Sequence, residues 1–263
     1  MLKFCSVASG SSGNSYIIAS EKTALILDAG VSCKRILAGI EKIGRTAGDI
    51  AAVLVTHEHS DHICGLPVLK KRLANAEIYA SSGSWDGISG ELSGCEILPG
   101  EIFNVGDIEV TAFSLSHDAE EPMGFSFAAD GAKLAVVTDT GIITEEIFSE
   151  IKDVDFLVLE ANYEEEMLLT GRYPYFLKQR IKGEYGHLSN IDAAEAIAEI
   201  FRCDKRPRLS TVLLAHLSKE NNHPDLAFET VRSYLSGLDI EIGKDLELGT
   251  LSRDTMSEVY YVL

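Results

Sequence analysis

Residues 56–62 carry the side chains whose types and spacing most directly indicate chemistry. They read THEHSDH, which places three histidines and an aspartate in the pattern H-x-H-x-D-H, directly after the apolar run AAVLV. Burying so many polar side chains without a partner would be costly, and a metal ion is such a partner. His57 and His59 can point the same way from an extended segment, toward one ion. Asp61 and His62, at the start of a helix, can face a second ion. A solvated polar loop is the alternative interpretation.

Three further polar residues follow predicted strands: His117 follows VTAFSLS, Asp139 follows KLAVVT and His216 follows TVLLA. In open α/β sheets, ligands bind where strands end. We therefore predict two metal ions, the first bound by His57, His59 and His117, the second by Asp61, His62 and His216, with Asp139 bridging them. Zinc suits this donor set best, and manganese or iron is also compatible. Two ions can share a water and lower its pKa, which is hydrolytic chemistry suited to phosphate esters. Asp61 is for this reason counted as a catalytic residue as well as a ligand.

Two more carboxylates end apolar runs. Asp28 follows TALIL, and Glu160 ends FLVLE. We predict that each accepts a hydrogen bond that orients a ligand histidine or its loop. A plain turn or helix cap explains Asp28 equally well.

The elements that must position these residues alternate along the chain. Short apolar, β-branched runs predict strands at residues 15–20, 23–27, 52–56, 109–116, 133–138, 156–159 and 211–215. Amphipathic patterns predict helices at residues 33–43, 63–73, 145–151, 191–201 and 225–235. Residues 93–123 have strand-like pieces and turns, which indicates an antiparallel meander. The pattern predicts an α/β (α+β) fold of mixed sheets covered by helices, in one domain over residues 1–263.

The composition is that of an ordinary globular protein with a strongly acidic balance. The 263 residues include 23 Lys and Arg against 41 Asp and Glu, a net charge of −18, and 46% are hydrophobic. This balance argues against a broad basic surface that coats nucleic acid or anionic lipid. Five scattered cysteines without a C-x-x-C pair indicate neither a disulfide framework nor a cysteine zinc site. Without a signal peptide or transmembrane pattern, we expect a cytoplasmic protein with no membrane partner.

Together these motifs resemble the metallo-β-lactamase fold superfamily. The matching segments, in chain order, are LDAG at 27–30, THEHSDH at 56–62, SH at 116–117, TDTG at 138–141 and AHLS at 215–218. The resemblance implies a four-layer αββα sandwich with a dinuclear site at one edge of its two sheets. Within the superfamily, the segments SVASGSSGNSYII, YPYFLKQRIKGEYGHLSN and LAHLSKENN are similar to the YycJ (WalJ) type. That type is associated with exonuclease action on DNA.

The segment GHLSNIDAAEAIAEI also resembles a motif of transfer-RNA 3′-processing endonucleases, in which a histidine protonates the leaving group. The resemblance makes His187 the candidate general acid, and packing at the flank of a helix is the alternative. The chain departs from the YycJ type at Asn162-Tyr163, where Asn-His is expected.

A basic segment precedes His187. It contains Arg172, Lys178, Arg180 and Lys182, interrupted by Tyr173, Tyr175 and Phe176. Cations beside aromatic rings could hold phosphate and stack an unpaired base. A solvated helix face explains the pattern equally well.

The function that the sequence favours is a metal-dependent phosphodiesterase, a DNA exonuclease in which a bridging hydroxide attacks phosphorus. An RNA-processing nuclease and a small-molecule hydrolase of a thioester, lactone or cyclic phosphodiester are the alternatives. An iron site with redox chemistry would require a flavin partner domain, which the sequence lacks. The sequence does not decide the oligomeric state, and a homodimer is compatible with it.

Overall fold

The computed structural model describes residues 1–73, 75–88, 92–204 and 207–263. Their contacts divide the chain into two compact units. Unit 1 consists of Met1–Ser114, Ala119–Lys133 and Ser252–Leu263, and unit 2 of Leu115–Asp118 and Leu134–Leu251. The single domain over residues 1–263 stays a prediction.

The described strands form two mixed, seven-stranded sheets. The first has the order β14 (Tyr260–Val262), β1 (Leu2–Ala8), β2 (Ser15–Ala19), β3 (Ala24–Leu27), β4 (Ile50–Leu54), β5 (Glu77–Ala80) and β6 (Cys95–Glu96). The second has the order β13 (Glu247–Thr250), β12 (Thr211–Ala215), β11 (Phe156–Glu160), β10 (Ala132–Val137), β9 (Met123–Ala129), β8 (Ile108–Ser114) and β7 (Ile102–Val105). Strands β3–β6 and β10–β13 pair in parallel. Strands β7–β9 pair antiparallel, as the predicted meander requires, whereas β6, also within residues 93–123, pairs in parallel with β5.

The helices of unit 1 are α1 (Cys33–Lys42), α2 (Ser60–Ile63), α3 (Leu66–Lys70) and α4 (Ser82–Gly87). Those of unit 2 are α5 (Glu145–Ile151), α6 (Glu165–Thr170), α7 (Tyr175–Lys182), α8 (Asn190–Cys203) and α9 (Pro224–Ser236). Mixed sheets flanked by helices confirm the predicted α/β class. In the part of the chain that the structure describes, no helix is both long and apolar enough to cross a membrane.

The predicted helix at residues 63–73 is wrong as a single element, because α2 and α3 are separate. The break lies at Gly65, whose N–H donates to the carbonyl of Ala29 at 2.7 Å instead of continuing the first helix. A Cβ at Gly65 would lie 2.1 Å from the carbonyl oxygen of Val31, so the backbones approach too closely for a side chain. This close approach fixes the segment after β3 against the turn between α2 and α3.

The parallel strands end in the polar residues that the sequence singled out. In unit 1, Asp28 follows β3, and residues 55–62 follow its parallel neighbour β4. In unit 2, Asp139 lies two residues beyond β10, Glu160 ends β11 and His216 follows β12. The strands themselves are apolar runs buried almost throughout, as central parallel strands are.

Three of these residues have a backbone that side chains rarely adopt. The φ angles of Asp28, Asp139 and His216 are 60°, 63° and 55°, in the left-handed region. Such conformations cost roughly 1–3 kcal/mol each and persist where the surrounding structure enforces them, often at functional sites. The chain therefore turns sharply at three of the positions where the sequence predicts a ligand or its acceptor.

We predict that Gly30→Ala destabilises unit 1. A Cβ at Gly30 would lie 1.6 Å from the carbonyl oxygen of Asp61, so the backbone after β3 and the H-x-H-x-D-H segment would have to separate. Overpacking of this kind costs ~1–3 kcal/mol, measured as a lower free energy of unfolding in denaturant. Gly48→Ala is the matched control, because its nearest neighbouring atom would be 3.8 Å away. Equal unfolding midpoints for the two variants would contradict the close approach.

Candidate metal centre

The fully buried carboxylate of Asp28 faces His62 in unit 1. Its Oδ2 lies 2.7 Å from His62 Nδ1, and its oxygens accept hydrogen bonds from the N–H and hydroxyl of Thr56 at 2.8 and 2.9 Å. Burial raises the pKa of Asp28, and the neighbouring His62 opposes that rise. Because Nδ1 of His62 faces Asp28, Nε2 is the nitrogen that would bind an ion. This is the contact expected of an acceptor that orients a ligand histidine.

His57 and His59 aim ring nitrogens at each other. Nε2 of the fully buried His57 lies 3.0 Å from Nδ1 of His59, and the two rings are almost perpendicular at 81°. The ring of His57 also lies 4.0 Å from the ring of His62, centroid to centroid. Three imidazoles so close together repel one another when protonated, and they suit a cation that accepts their lone pairs.

Asn14 supports this segment, although the sequence gave no signal for it. Its N–H donates to the carbonyl of Asp61 at 2.8 Å, and its own carbonyl accepts from Gly30 at 2.9 Å. Its Nδ2 lies 3.4 Å from Asp61 Oδ2 and 3.0 Å from His62 Nε2. The glycine- and serine-rich segment before β2 therefore fixes the backbone of Asp61.

Glu160 is the corresponding buried carboxylate of unit 2. Its Oε1 lies 2.8 Å from Nδ1 of both His187 and His216. Its Oε2 accepts from the backbone N–H groups of Thr140 at 3.0 Å and Leu188 at 3.3 Å. Burial opposes ionisation of Glu160, but the two histidines outweigh it and hold its pKa below the ordinary value. An ionised Glu160 thus turns Nε2 of each ring away from itself.

Asp139 and His117 complete the cluster of unit 2. Asp139 Oδ1 lies 3.3 Å from His216 Nδ1, 3.7 Å from His187 Nδ1 and 3.9 Å from His117 Nε2. His117 donates from Nδ1 to the carbonyl of Gly186 at 3.0 Å, which again leaves Nε2 to bind an ion. Burial lowers the pKa of His117 against the pull of Asp139, and a neutral imidazole is the form that binds metals.

The basic residues lie in and just before α7. Their contacts are Arg172 with Glu220, Lys178 with the carbonyls of Leu169 and Gly171, Arg180 with Asp118, and Lys182 with Glu165. Arg172 is the most exposed, with 86% of its side chain accessible and Nε 3.7 Å from Glu220. Substrate binding by these four residues stays a prediction.

Asn162, Tyr163 and His223, whose roles the sequence does not decide, have structural roles. Asn162 donates from Nδ2 to the carbonyl of His216 at 2.8 Å and so braces that residue. Tyr163 is buried with Leu168 and Ile181, and burial raises its pKa. His223 caps α9, because its side chain accepts from the N–H of Asp225 at 3.3 Å.

The donor sets fit a divalent ion. Unit 1 offers imidazole nitrogens beside the carboxylate of Asp61, and unit 2 offers ligand atoms of Asp139, Glu160, His187 and His216 within 4.8 Å of one another. Mixed imidazole and carboxylate donors suit zinc, manganese or iron. Several of these groups are fully buried and have therefore lost their hydration. A bound cation would compensate for that loss by interacting with them. The residues present therefore fit metal binding.

Comparison with known proteins points the same way. Residues 23–208 match the model of the β-lactamase superfamily domain. The exodeoxyribonuclease WalJ of Streptococcus pneumoniae is 36% identical over 261 residues, which cover 96% of this chain and 95% of that protein. The exodeoxyribonuclease YycJ of Bacillus anthracis is 36% identical over 267 residues, 99% of each chain. The metallo-β-lactamase fold protein YhfI of Bacillus subtilis superimposes with a TM-score of 0.72 at 15% identity, over 97% of this chain and 98% of that one. The last similarity confirms the predicted fold.

We predict that Glu160→Gln destabilises the metal-free protein, because one of its two oxygens becomes an N–H donor that faces other donors. The expected loss is ~1–3 kcal/mol in the free energy of unfolding, measured in denaturant with a chelator present. The pKa of Glu160 lies below its ordinary 4.5 in the folded protein. The difference in the free energy of unfolding is therefore largest above pH 4.5 and decreases as the pH falls below that value.

Glu247→Gln, on the exposed face of β13, is the control and should unfold like the parent. A Glu160→Gln protein as stable as this control at pH 7 would contradict the role of the buried carboxylate.

Proposed function

Because the chain belongs to the β-lactamase superfamily and is a metallohydrolase of that fold, we propose that it is a metal-dependent nuclease, a DNA exonuclease. The observation that carries the proposal is the 36% identity, over nearly the full length, to two enzymes named exodeoxyribonucleases. The imidazole and carboxylate clusters at the strand ends supply the donor chemistry that such an enzyme requires.

We assign seven residues as ligands of two ions. His57, His59 and His117 would hold one ion, Asp61, His62 and His216 the other, and Asp139 would bridge them. The contacts within each unit support this proposal, since Asp28 faces His62 and Glu160 faces His216, in each case through Nδ1. When bound, two zinc or manganese ions would supply Lewis acidity for a bridging hydroxide and charge for the developing oxyanion.

His187 is the proposed general acid. Its Nδ1 contacts Glu160 at 2.8 Å, and 18% of its side chain is accessible, more than His117 or His216. Because Nδ1 faces Glu160, Nε2 is the ring atom that can donate a proton to a departing oxygen. The capping box of Ser189 and Asp192 at the start of α8 fixes the backbone that carries His187.

One assay distinguishes the proposed activity from its alternatives. The purified protein is incubated with Mn²⁺ or Zn²⁺ and with end-labelled single-stranded DNA, double-stranded DNA and RNA. The proposal expects DNA to be shortened from an end, and no loss of label with a chelator. Preferential cleavage of RNA would favour an RNA-processing nuclease. Hydrolysis of a thioester, lactone or cyclic phosphodiester without any nuclease activity would overturn the proposal.

We predict that the protein binds about two transition-metal ions per chain at saturation, because the seven donors form two ligand sets. Asp139→Ala should lower the occupancy of both sets, measured by elemental analysis after dialysis. Asp130→Ala, at the exposed turn after β9, is the control and should retain the metal of the parent. Saturation at one ion, or full metal content in Asp139→Ala, would contradict the assignment.

We predict that His187→Ala keeps its metal and lowers turnover of DNA by ~10²–10⁴-fold, the usual loss for a general acid. The loss should shrink on a nitrophenyl phosphodiester, whose leaving group needs no proton. His223→Ala removes an exposed histidine that caps α9 and should keep the parent's turnover. An equal loss of His187→Ala on both substrates would show that His187 positions the substrate or the fold instead.

A further inference from the structure

Three large aromatic side chains in and after α7 face solvent. Tyr175, Phe176 and Tyr185 are 77%, 74% and 64% exposed. Among the described residues, Tyr261 is the other aromatic of comparable exposure, at 59%. Tyr175 and Phe176 begin α7 and Tyr185 follows its end, and several exposed aromatic side chains in one short segment commonly mark a surface that binds something, because leaving them in water is unfavourable. We call Tyr175, Phe176 and Tyr185 the aromatic surface.

The cations of α7 fasten the helix that carries this surface. Lys178 donates from Nζ to the carbonyls of Leu169 and Gly171 at 2.7 and 2.6 Å. Arg180 and Lys182 form ion pairs with the carboxylates of Asp118 and Glu165. Three of the four cations that the sequence suggested for phosphate are therefore engaged within unit 2, whereas the aromatic rings remain at the surface.

The segment after α7 connects the aromatic surface to the proposed active site. The carbonyl of Glu184 accepts from the hydroxyl of Ser116 at 2.7 Å, and the carbonyl of Gly186 accepts from Nδ1 of His117 at 3.0 Å. Tyr185 lies between these two anchored carbonyls and two residues before His187. Its backbone is thus anchored next to His117, a proposed ligand, and close in sequence to His187, the proposed general acid.

The net charge of the chain indicates which kind of ligand the aromatic surface binds. At a net charge of −18, with the α7 cations already paired, attraction of phosphates contributes little at this position. The bases of nucleic acid are neutral, and each has a face that stacks on an aromatic ring. Only an unpaired strand presents those faces, because a duplex buries them in its own stack.

We propose that Tyr175, Phe176 and Tyr185 stack the bases of an unpaired nucleic-acid strand that leads to the active site. This inference rests on the proposed nuclease function and adds that the substrate is bound by base stacking, as a single strand. It assigns the selection of an unpaired end to three neutral side chains and not to the basic segment.

The test measures binding of a single-stranded oligonucleotide that contains 2-aminopurine, whose fluorescence falls when the base stacks. The variants are Tyr175→Ala/Phe176→Ala and Tyr185→Ala, with Tyr185→Phe as the conservative change and Tyr261→Ala as the matched control. An abasic strand of equal length has the same phosphates and no bases. We expect roughly 5- to 150-fold weaker binding for each stacked base lost, and less quenching. Tyr185→Phe and Tyr261→Ala should bind like the parent.

The abasic strand separates stacking from other roles. It should bind weakly to the parent, and the alanine variants should weaken it no further. Equal weakening of both strands would overturn the inference, since it would indicate phosphate contacts or a misfolded variant. A shift from dimer to monomer in Tyr175→Ala/Phe176→Ala, with unchanged DNA binding, would also overturn it and identify a surface between copies of the chain.

The two proposals fail in different ways. If the parent cleaves no DNA under any metal condition, the proposed function fails. If the parent shortens single-stranded DNA and the alanine variants bind and quench the 2-aminopurine strand as the parent does, only the stacking inference fails.

Discussion

The contact on which both clusters depend is a fully buried carboxylate that faces an imidazole. Asp28 faces His62 at 2.7 Å in unit 1, and Glu160 faces His187 and His216 at 2.8 Å in unit 2. A carboxylate without exposure is tolerated only when donors surround it, so each position requires a histidine and backbone N–H groups around it. The same contact fixes which ring nitrogen faces outward. The core therefore fixes the ring orientations of these histidines.

The buried apolar strands hold three site residues in a strained backbone conformation. Asp28, Asp139 and His216 adopt left-handed backbone at the ends of β3, β10 and β12, and each follows a run of buried apolar residues. Packing of those strands holds the strained residue in place, because relaxing it would pull apolar side chains out of register. Parallel pairing then matters for a second reason, since it brings Asp139 and His216 to one edge of the sheet in unit 2.

The sequence was informative wherever a polar residue interrupts an apolar run. That signal found Asp28, His117, Asp139, Glu160 and His216, because the strands are continuous and buried. It did not find Asn14, which lies in a glycine- and serine-rich segment without periodicity. The contacts of Asn14 with Asp61 and His62 join residues that are far apart in the sequence. It also missed α6 and gave α7 only as an alternative, a solvated helix face, because both are short and mostly exposed and no apolar stripe marks them. Nor does the sequence predict the ion pairs of the basic segment. Asp118 and Glu165 neutralise two of its cations from positions that no spacing rule connects to it.

The acidic balance of the chain is consistent with a nuclease if its substrate is selected locally. Binding through phosphates gains affinity with each cation that replaces counterions, and it acts along any duplex regardless of its ends. A chain with 41 acidic and 23 basic side chains lacks the broad excess of cations that such binding uses. In the proposed site, bound metal ions would supply positive charge where the reacting phosphate lies. Such a site would lose general affinity and gain discrimination, because it would retain a strand only where the phosphate reaches the ions and the bases meet neutral rings. The excess of acidic residues thus favours action at strand ends over action along a duplex.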